Sequence, residues 1–191
     1  MRLAFWPGGG GGPDSFEPIA PALAAAGVDV TTLDPRYDER TDWSIPSLAG
    51  ELAATGADAY GGFSWGGAVA VTAALLVRPR AVVLVDGGHF GGSDFPPEPL
   101  DEAGTEEARS TMAAIFEGYA RYDAAAALPK LDRETRVLLV AAGRNPLSTE
   151  HVPRFERLVP WADVRIVESG HDIPAEAPGE LGDIVAEWLQ A

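Results

Sequence analysis

The chain has 191 residues, no cysteine, three histidines and a formal charge of −15, from 29 acidic against 14 basic side chains. That charge repels polyanions, which excludes nucleic acid and anionic membrane surfaces as partners and leaves a small-molecule substrate. Without cysteine there is no disulfide, no thiolate nucleophile and no cysteine-based zinc site, and His89, His151 and His171 show no metal-ligand spacing, so neither metal nor cofactor is expected.

A chain of this length forms one domain able to bury roughly 70% of its unfolded surface. In chain order, residues 3–6 form a first strand that runs at once into Pro7 and the glycines 8–12. This start is too short for a signal-peptide core, and no apolar run reaches the roughly 18 residues of a membrane span. A soluble cytoplasmic protein is expected. Three readings of the glycine run are open: a phosphate cradle, a flexible surface loop, or an oxyanion loop. The first lacks the Gly-Lys-Ser/Thr that should follow it. In the third, glycines let backbone N–H groups approach a developing negative charge, and Gly8 or Gly9 supplies one donor.

Residues 19–26 read as a helix closed by Gly27, with Pro18 and Pro21 restricting regular helix to start near Pro21 after a turn over residues 16–20. A second strand follows at 28–33, a helix at Ile45–Ala54, a third strand at 57–63 and a helix at Trp65–Val77. The junction of the last two is Gly62-Phe63-Ser64-Trp65-Gly66. Such a G-x-S-x-G between strand and helix makes a sharp turn that lifts the serine hydroxyl out of the backbone, and glycines two positions to either side leave it room. Ser64 is the candidate nucleophile, and the N–H of Trp65 is a second oxyanion donor.

Ala81–Val85 is a fourth strand of unbroken apolar residues. Residues 87–131 then interrupt the alternation, first loop-like with Pro96-Pro97, then helical over 106–122, and read as a small lid. A fifth strand at 137–141, a helix at 150–158, a sixth strand at 164–167 and a closing helix at 179–190 complete the chain. Continuous apolar strands alternating with helices predict a doubly wound α/β fold around a mostly parallel sheet of six strands. Parallel strands deliver their C-terminal loops to one edge, so His171, beyond the sixth strand, shares an edge with Ser64. Imidazole can take and return a proton near neutral pH, which makes His171 the candidate general base. His89, close behind a strand end, is a candidate substrate contact. Trp6, Phe63, Phe90 and Phe95 are candidates for an apolar pocket.

Over nearly its whole length the chain resembles the α/β-hydrolase family. The matching segments are the strand and glycine loop at the start, Leu33-Asp34-Pro35-Arg36, Gly62-Phe63-Ser64-Trp65-Gly66-Gly67, Val83-Leu84-Val85-Asp86, Leu138-Leu139-Val140 before Gly143, and Ser169-Gly170-His171. The resemblance implies a minimal form of that fold, starting at the family's third strand and carrying a short lid. It also implies a triad acid, usually placed after the penultimate strand, where this chain has Gly143-Arg144-Asn145-Pro146. Three readings of what orients His171 remain: Asp86, at the end of the preceding strand where some members carry the acid; Asn145 as a neutral substitute; and an unassigned acid or no triad at all. The implied activity is that of a serine hydrolase of an ester, thioester or lactone, acting through an acyl-enzyme. Serine at the turn disfavours dehalogenase and epoxide-hydrolase chemistry, which need a carboxylate nucleophile. A lyase, cyclase or isomerase using Ser64 and His171 as acid and base is the alternative, and a non-catalytic binding module the third.

Overall fold

The computed structural model describes residues 1–91, 94 and 105–191. Six parallel strands, β1 (Arg2–Trp6), β2 (Asp29–Thr32), β3 (Ala59–Phe63), β4 (Ala81–Val85), β5 (Arg136–Ala142) and β6 (Asp163–Val167), form one sheet in the order β2-β1-β3-β4-β5-β6. The doubly wound parallel fold expected from the alternation is therefore present. All five residues of β4 are buried, as a strand covered on both faces requires.

Alternate side chains along each strand divide the interior into two layers. On one face Ala4, Trp6, Tyr60, Val82, Leu84 and Leu139 meet α2 (Ile45–Ala54), α3 (Trp65–Val77) and α6 (Pro146–Leu158). On the other, Leu3, Phe5, Val83, Val85, Leu138 and Val140 meet α1 (Ala20–Ala25) and α8 (Pro178–Gln190), through Leu23, Leu181, Val185 and Trp188. Helix α3 buries nine of its residues because it lies between the sheet and α2, which explains why it is apolar on every side. Among the described residues no helix is long and apolar enough to cross a membrane.

Several boundaries differ from the sequence expectation. Residues Pro13–Ile19 form a 3-10 helix that leads into α1, where a plain turn was expected. Helix α6 begins at Pro146 instead of residue 150, since proline is preorganised for the first helical position and Asn145 O accepts from the Thr149 N–H at 3.0 Å. A single helical turn, α7 (Ile173–Glu176), follows His171, with the Asp172 side chain capping the Ala175 N–H. Within the segment read as a lid, α4 (Glu106–Ala120) and α5 (Ala124–Ala127) are helical. Phe95 and Pro96-Pro97 lie outside the described residues.

Strand order reverses between β1 and β3: the chain moves outward from β1 to β2, then returns to build the rest of the sheet on the other side. A crevice opens at the carboxyl ends of strands at such a switch point. The loops delivered there are the glycine run after β1 and the turn at Ser64 after β3.

Candidate active site

Ser64 sits between β3 and α3 at φ 54°, ψ −125°, a conformation that L-residues adopt only under constraint. Its N–H donates to Val85 O at 2.9 Å and its carbonyl accepts from the Gly67 N–H at 2.9 Å, so the adjacent strand β4 and the first turn of α3 hold the turn. The flanking glycines are required by backbone contact. A Cβ on Gly62 would stand 1.9 Å from Gly66 O, and one on Gly66 would stand 2.3 Å from Trp6 O. Neither obstacle is a side chain that can swing aside. Gly66→Ala must therefore push α3 away from β1, and should cost at least about 2 kcal/mol, a fall in Tm of roughly 4–8 °C. A circular-dichroism melt superimposable on that of the wild type would contradict this packing.

Three side chains from three strand ends meet at this rim. His171 Nε2 is 2.8 Å from Ser64 Oγ, and its Nδ1 is 2.6 Å from Asp86 Oδ2. Asp86 follows β4 at φ 41° and is completely buried, whereas the His171 side chain is 42% exposed and open to a substrate. The loop carrying His171 is braced from below: the Gly170 N–H and the Arg144 guanidinium both donate to Glu176, at 2.8 and 2.6 Å.

A buried carboxylate must be surrounded by donors. Asp86 Oδ1 accepts the Ala142 N–H at 2.8 Å, and Oδ2 accepts Asn145 Nδ2 at 2.8 Å besides the His171 ring. Burial pushes the Asp86 carboxyl up, but its donors His171, Ser148, Ala142 and Asn145 outweigh that, and the net shift is downward. The two orienters left open by the sequence thus stand side by side. Asp86 faces the histidine nitrogen, and Asn145 donates to Asp86 while its amide nitrogen lies 3.4 Å from His171 Nδ1.

The glycine loop packs directly against Ser64: a Cβ on Gly8 would come within 3.5 Å of the serine Cβ. Tyr37 fixes the loop from outside by donating to Gly11 O at 3.0 Å, and burial pushes its phenol up to about 12, so it remains a donor at neutral pH. Trp65 is the first residue of α3, where an N–H has no intrahelical acceptor. Gly9, Trp65, Ser64 and His171 border a cavity of about 210 Å³ whose opposite wall is Met112, Ile115, Phe116 and Tyr119. These four fall at i, i+3, i+4 and i+7 of α4. That stripe was present in the sequence but was read only as lid helix.

Other pocket candidates are corrected by the structure. Trp6 is wholly buried, because on β1 its side chain points into the helix layer, where it meets Trp65 edge-on at 6.1 Å and lies under the Arg40 guanidinium. His89 and Phe90 also turn inward, as the chain after Asp86 folds beneath the rim: His89 is 0% and Phe90 1% exposed. Neither reaches a substrate. Phe63 lies at the site, its ring centroid 5.0 Å from that of His171, and lines a second cavity with Gly8–Gly11.

Burial lowers the His89 imidazole to about 4. An unfolded histidine, with a pKa near 6.5, takes up its proton first as pH falls, so this group withdraws stability between about 6.5 and 4 and not above. His89→Gln should remove that component. Urea melts at pH 7 and 4.5 should show the variant losing roughly 2 kcal/mol less than the wild type; equal losses would mean that His89 is not held neutral.

No family model matches the sequence, and no curated protein does. Solved structures do. The enol-lactonase from Burkholderia xenovorans aligns with a TM-score of 0.82 at 13% identity, over 100% of this chain and 91% of that one. An alpha/beta hydrolase enzyme from the metagenome of lagoon sediments at Mar Chica, Morocco, aligns with a TM-score of 0.80 at 20% identity, over 100% and 90%. A haloalkane dehalogenase from Bradyrhizobium elkani gives 0.78 at 16% identity, over 98% and 89%. Likeness at these identities establishes the architecture, on which several chemistries are built.

Proposed function

Given a chain with the α/β-hydrolase fold, we propose that this protein is a serine hydrolase cleaving a small ester, thioester or lactone through an acyl-enzyme. The observation that carries the reading is the unbroken series Ser64 Oγ, His171 Nε2, His171 Nδ1, Asp86 Oδ2, with contacts of 2.8 and 2.6 Å. In this scheme Ser64 Oγ attacks the carbonyl carbon as its proton passes to His171 Nε2. The imidazolium so formed is stabilised by the Asp86 carboxylate, which stays ionised because its donors prevail over burial. The backbone N–H of Trp65, with that of Gly8 or Gly9, receives the oxyanion.

When the tetrahedral adduct collapses, the alkoxide or thiolate leaves with the proton held by His171. In a lactone it stays tethered to the acyl chain. Water, deprotonated by the same imidazole, then releases the acid and restores the serine. The apolar wall from Met112 to Tyr119 suits an uncharged acyl portion of modest size, and the likeness to an enol-lactonase agrees with an ester-type carbonyl.

The test is the pre-steady-state turnover of a panel of activated esters, thioesters and lactones with substrate in excess over enzyme, with the acyl-enzyme sought by intact-protein mass spectrometry. An initial burst and an adduct mass equal to the acyl group are expected. Substrate turnover without any acyl adduct under acid quench would favour acid–base chemistry at Ser64 and His171 without a covalent intermediate.

A further inference from the structure

Ser64 and Asp86 stand just past strand ends and are tied to neighbouring strands, the Ser64 N–H donating to Val85 O at 2.9 Å and the Asp86 N–H to Val140 O at 2.8 Å. His171 is placed differently. It lies in the loop between β6, an edge strand, and the single turn α7, and its side chain is 42% exposed. Its ring must nevertheless meet Ser64 Oγ and Asp86 Oδ2 at once, at 2.8 and 2.6 Å, so whatever sets the path of this loop sets the reach of the base.

Two ties come from Arg144, in the loop after β5. Its backbone N–H donates to Ser169 O at 2.9 Å, and its guanidinium donates to Glu176 Oε2 at 2.6 Å. The same Oε2 accepts the Gly170 N–H at 2.8 Å. One carboxylate oxygen at the end of α7 thus joins the residue before His171 to the residue before Asn145, whose amide donates to Asp86 at 2.8 Å. The other charged group facing Arg144 is Glu168, at 3.9 Å and 83% exposed. Glycine at 170 leaves the carboxylate its room. A Cβ there would stand 2.5 Å from Glu176 Oε1, and its three nearest obstacles are all atoms of that carboxyl group. Gly170 does not have a positive φ, so alanine suits its backbone and conflicts with Glu176.

We infer that Glu176 is a positioning residue for the general base: its carboxylate clasps the His171 loop to Arg144 and so fixes the imidazole against Asp86 and Ser64. The inference rests on the reading that His171 is that base. Exposed ion pairs contribute little to global stability. Because Arg144 and Glu176 are 56% and 41% exposed, the clasp should show in turnover and be nearly silent in thermal unfolding.

The experiment is hydrolysis of p-nitrophenyl butyrate by single and double variants, with the proton spectrum of the resting enzyme beside it. Glu176→Ala should lower kcat about 10- to 100-fold with KM changed less than about twofold, the scale on which a small misplacement of a catalytic group is felt. Gly170→Ala, which expels the same carboxylate from the opposite side, should lower it comparably. Both break one contact, so the double variant should be no slower than the slower single one. Glu176→Gln keeps an oxygen for the Gly170 N–H and should recover part of the loss. The His171 Nδ1–H resonance should broaden by exchange with water in both alanine variants, while Tm stays within about 4 °C of the wild type. Single variants within about twofold of the wild-type kcat, losses that multiply in the double variant, or a lower kcat with a large fall in Tm and an unchanged resonance would each overturn the inference. The resonance needs no substrate, so failure of the hydrolase reading would appear separately, as a protein that forms no acyl-enzyme although its resonance still responds to the two variants.

Discussion

Ser64→Ala should reduce hydrolysis of an activated ester by as much as ~10⁶-fold, to the background left by binding and oxyanion stabilisation. The size follows from the way the three side chains work: without the oxygen that attacks, the imidazole and carboxylate have nothing to deliver a proton from. The fold should survive. The bonds that hold this turn, from the Ser64 N–H to Val85 O and from the Gly67 N–H to Ser64 O, belong to the backbone and not to the hydroxyl. Alanine at φ 54° carries the same strain that serine does. A variant that folds with the wild-type Tm and retains more than about a tenth of the activity would remove Ser64 from the chemistry.

Asp86→Asn should lower kcat by about 10³–10⁴-fold, the scale seen when a triad aspartate becomes its amide. Asp86 is a hub of donors: the Ala142 N–H, Asn145 Nδ2 and His171 all converge on it. An amide has one oxygen for them, and its NH₂ must face a donor. Where it faces His171, the ring accepts at Nδ1 and carries its proton on Nε2, which leaves no base toward Ser64. Steady-state kinetics at neutral pH, with KM changed only a few-fold, is the measurement. A loss under tenfold would mean that the imidazole is oriented by something other than Asp86, with Asn145, 3.4 Å from Nδ1, the next group to test.

The architecture was legible because its physical causes are local. Val82, Val83 and Leu84 announce a strand covered on both faces, and Gly62 sits in a turn whose tolerance for a side chain is set by backbone a few residues away, at Gly66 O. The edge shared by Ser64 and His171 follows from parallel strand direction alone. What the sequence left open depends on convergence. Asp86 and Asn145 are 59 residues apart, and nothing in either segment states that one donates to the other. Ser148 and His89 are equally distant in sequence, and a histidine behind a strand end reads as a substrate contact until the fold shows it wholly buried. Trp6 failed for a related reason: an aromatic residue at a strand end was assigned to the pocket, although strand alternation sends it into the helix layer. The cavity wall of α4 was recoverable. Met112, Ile115, Phe116 and Tyr119 repeat at helical spacing, but the sequence does not say which surface that stripe covers.

The central claim is that Ser64 is a nucleophile activated by His171 and Asp86. Its most direct test is incubation of the wild-type protein with a fluorophosphonate, followed by peptide mapping of the adduct. The account predicts rapid stoichiometric labelling on Ser64, strongly slowed in Asp86→Asn and absent in Ser64→Ala. Failure of the wild-type protein to label, or an adduct on any other residue, would contradict it.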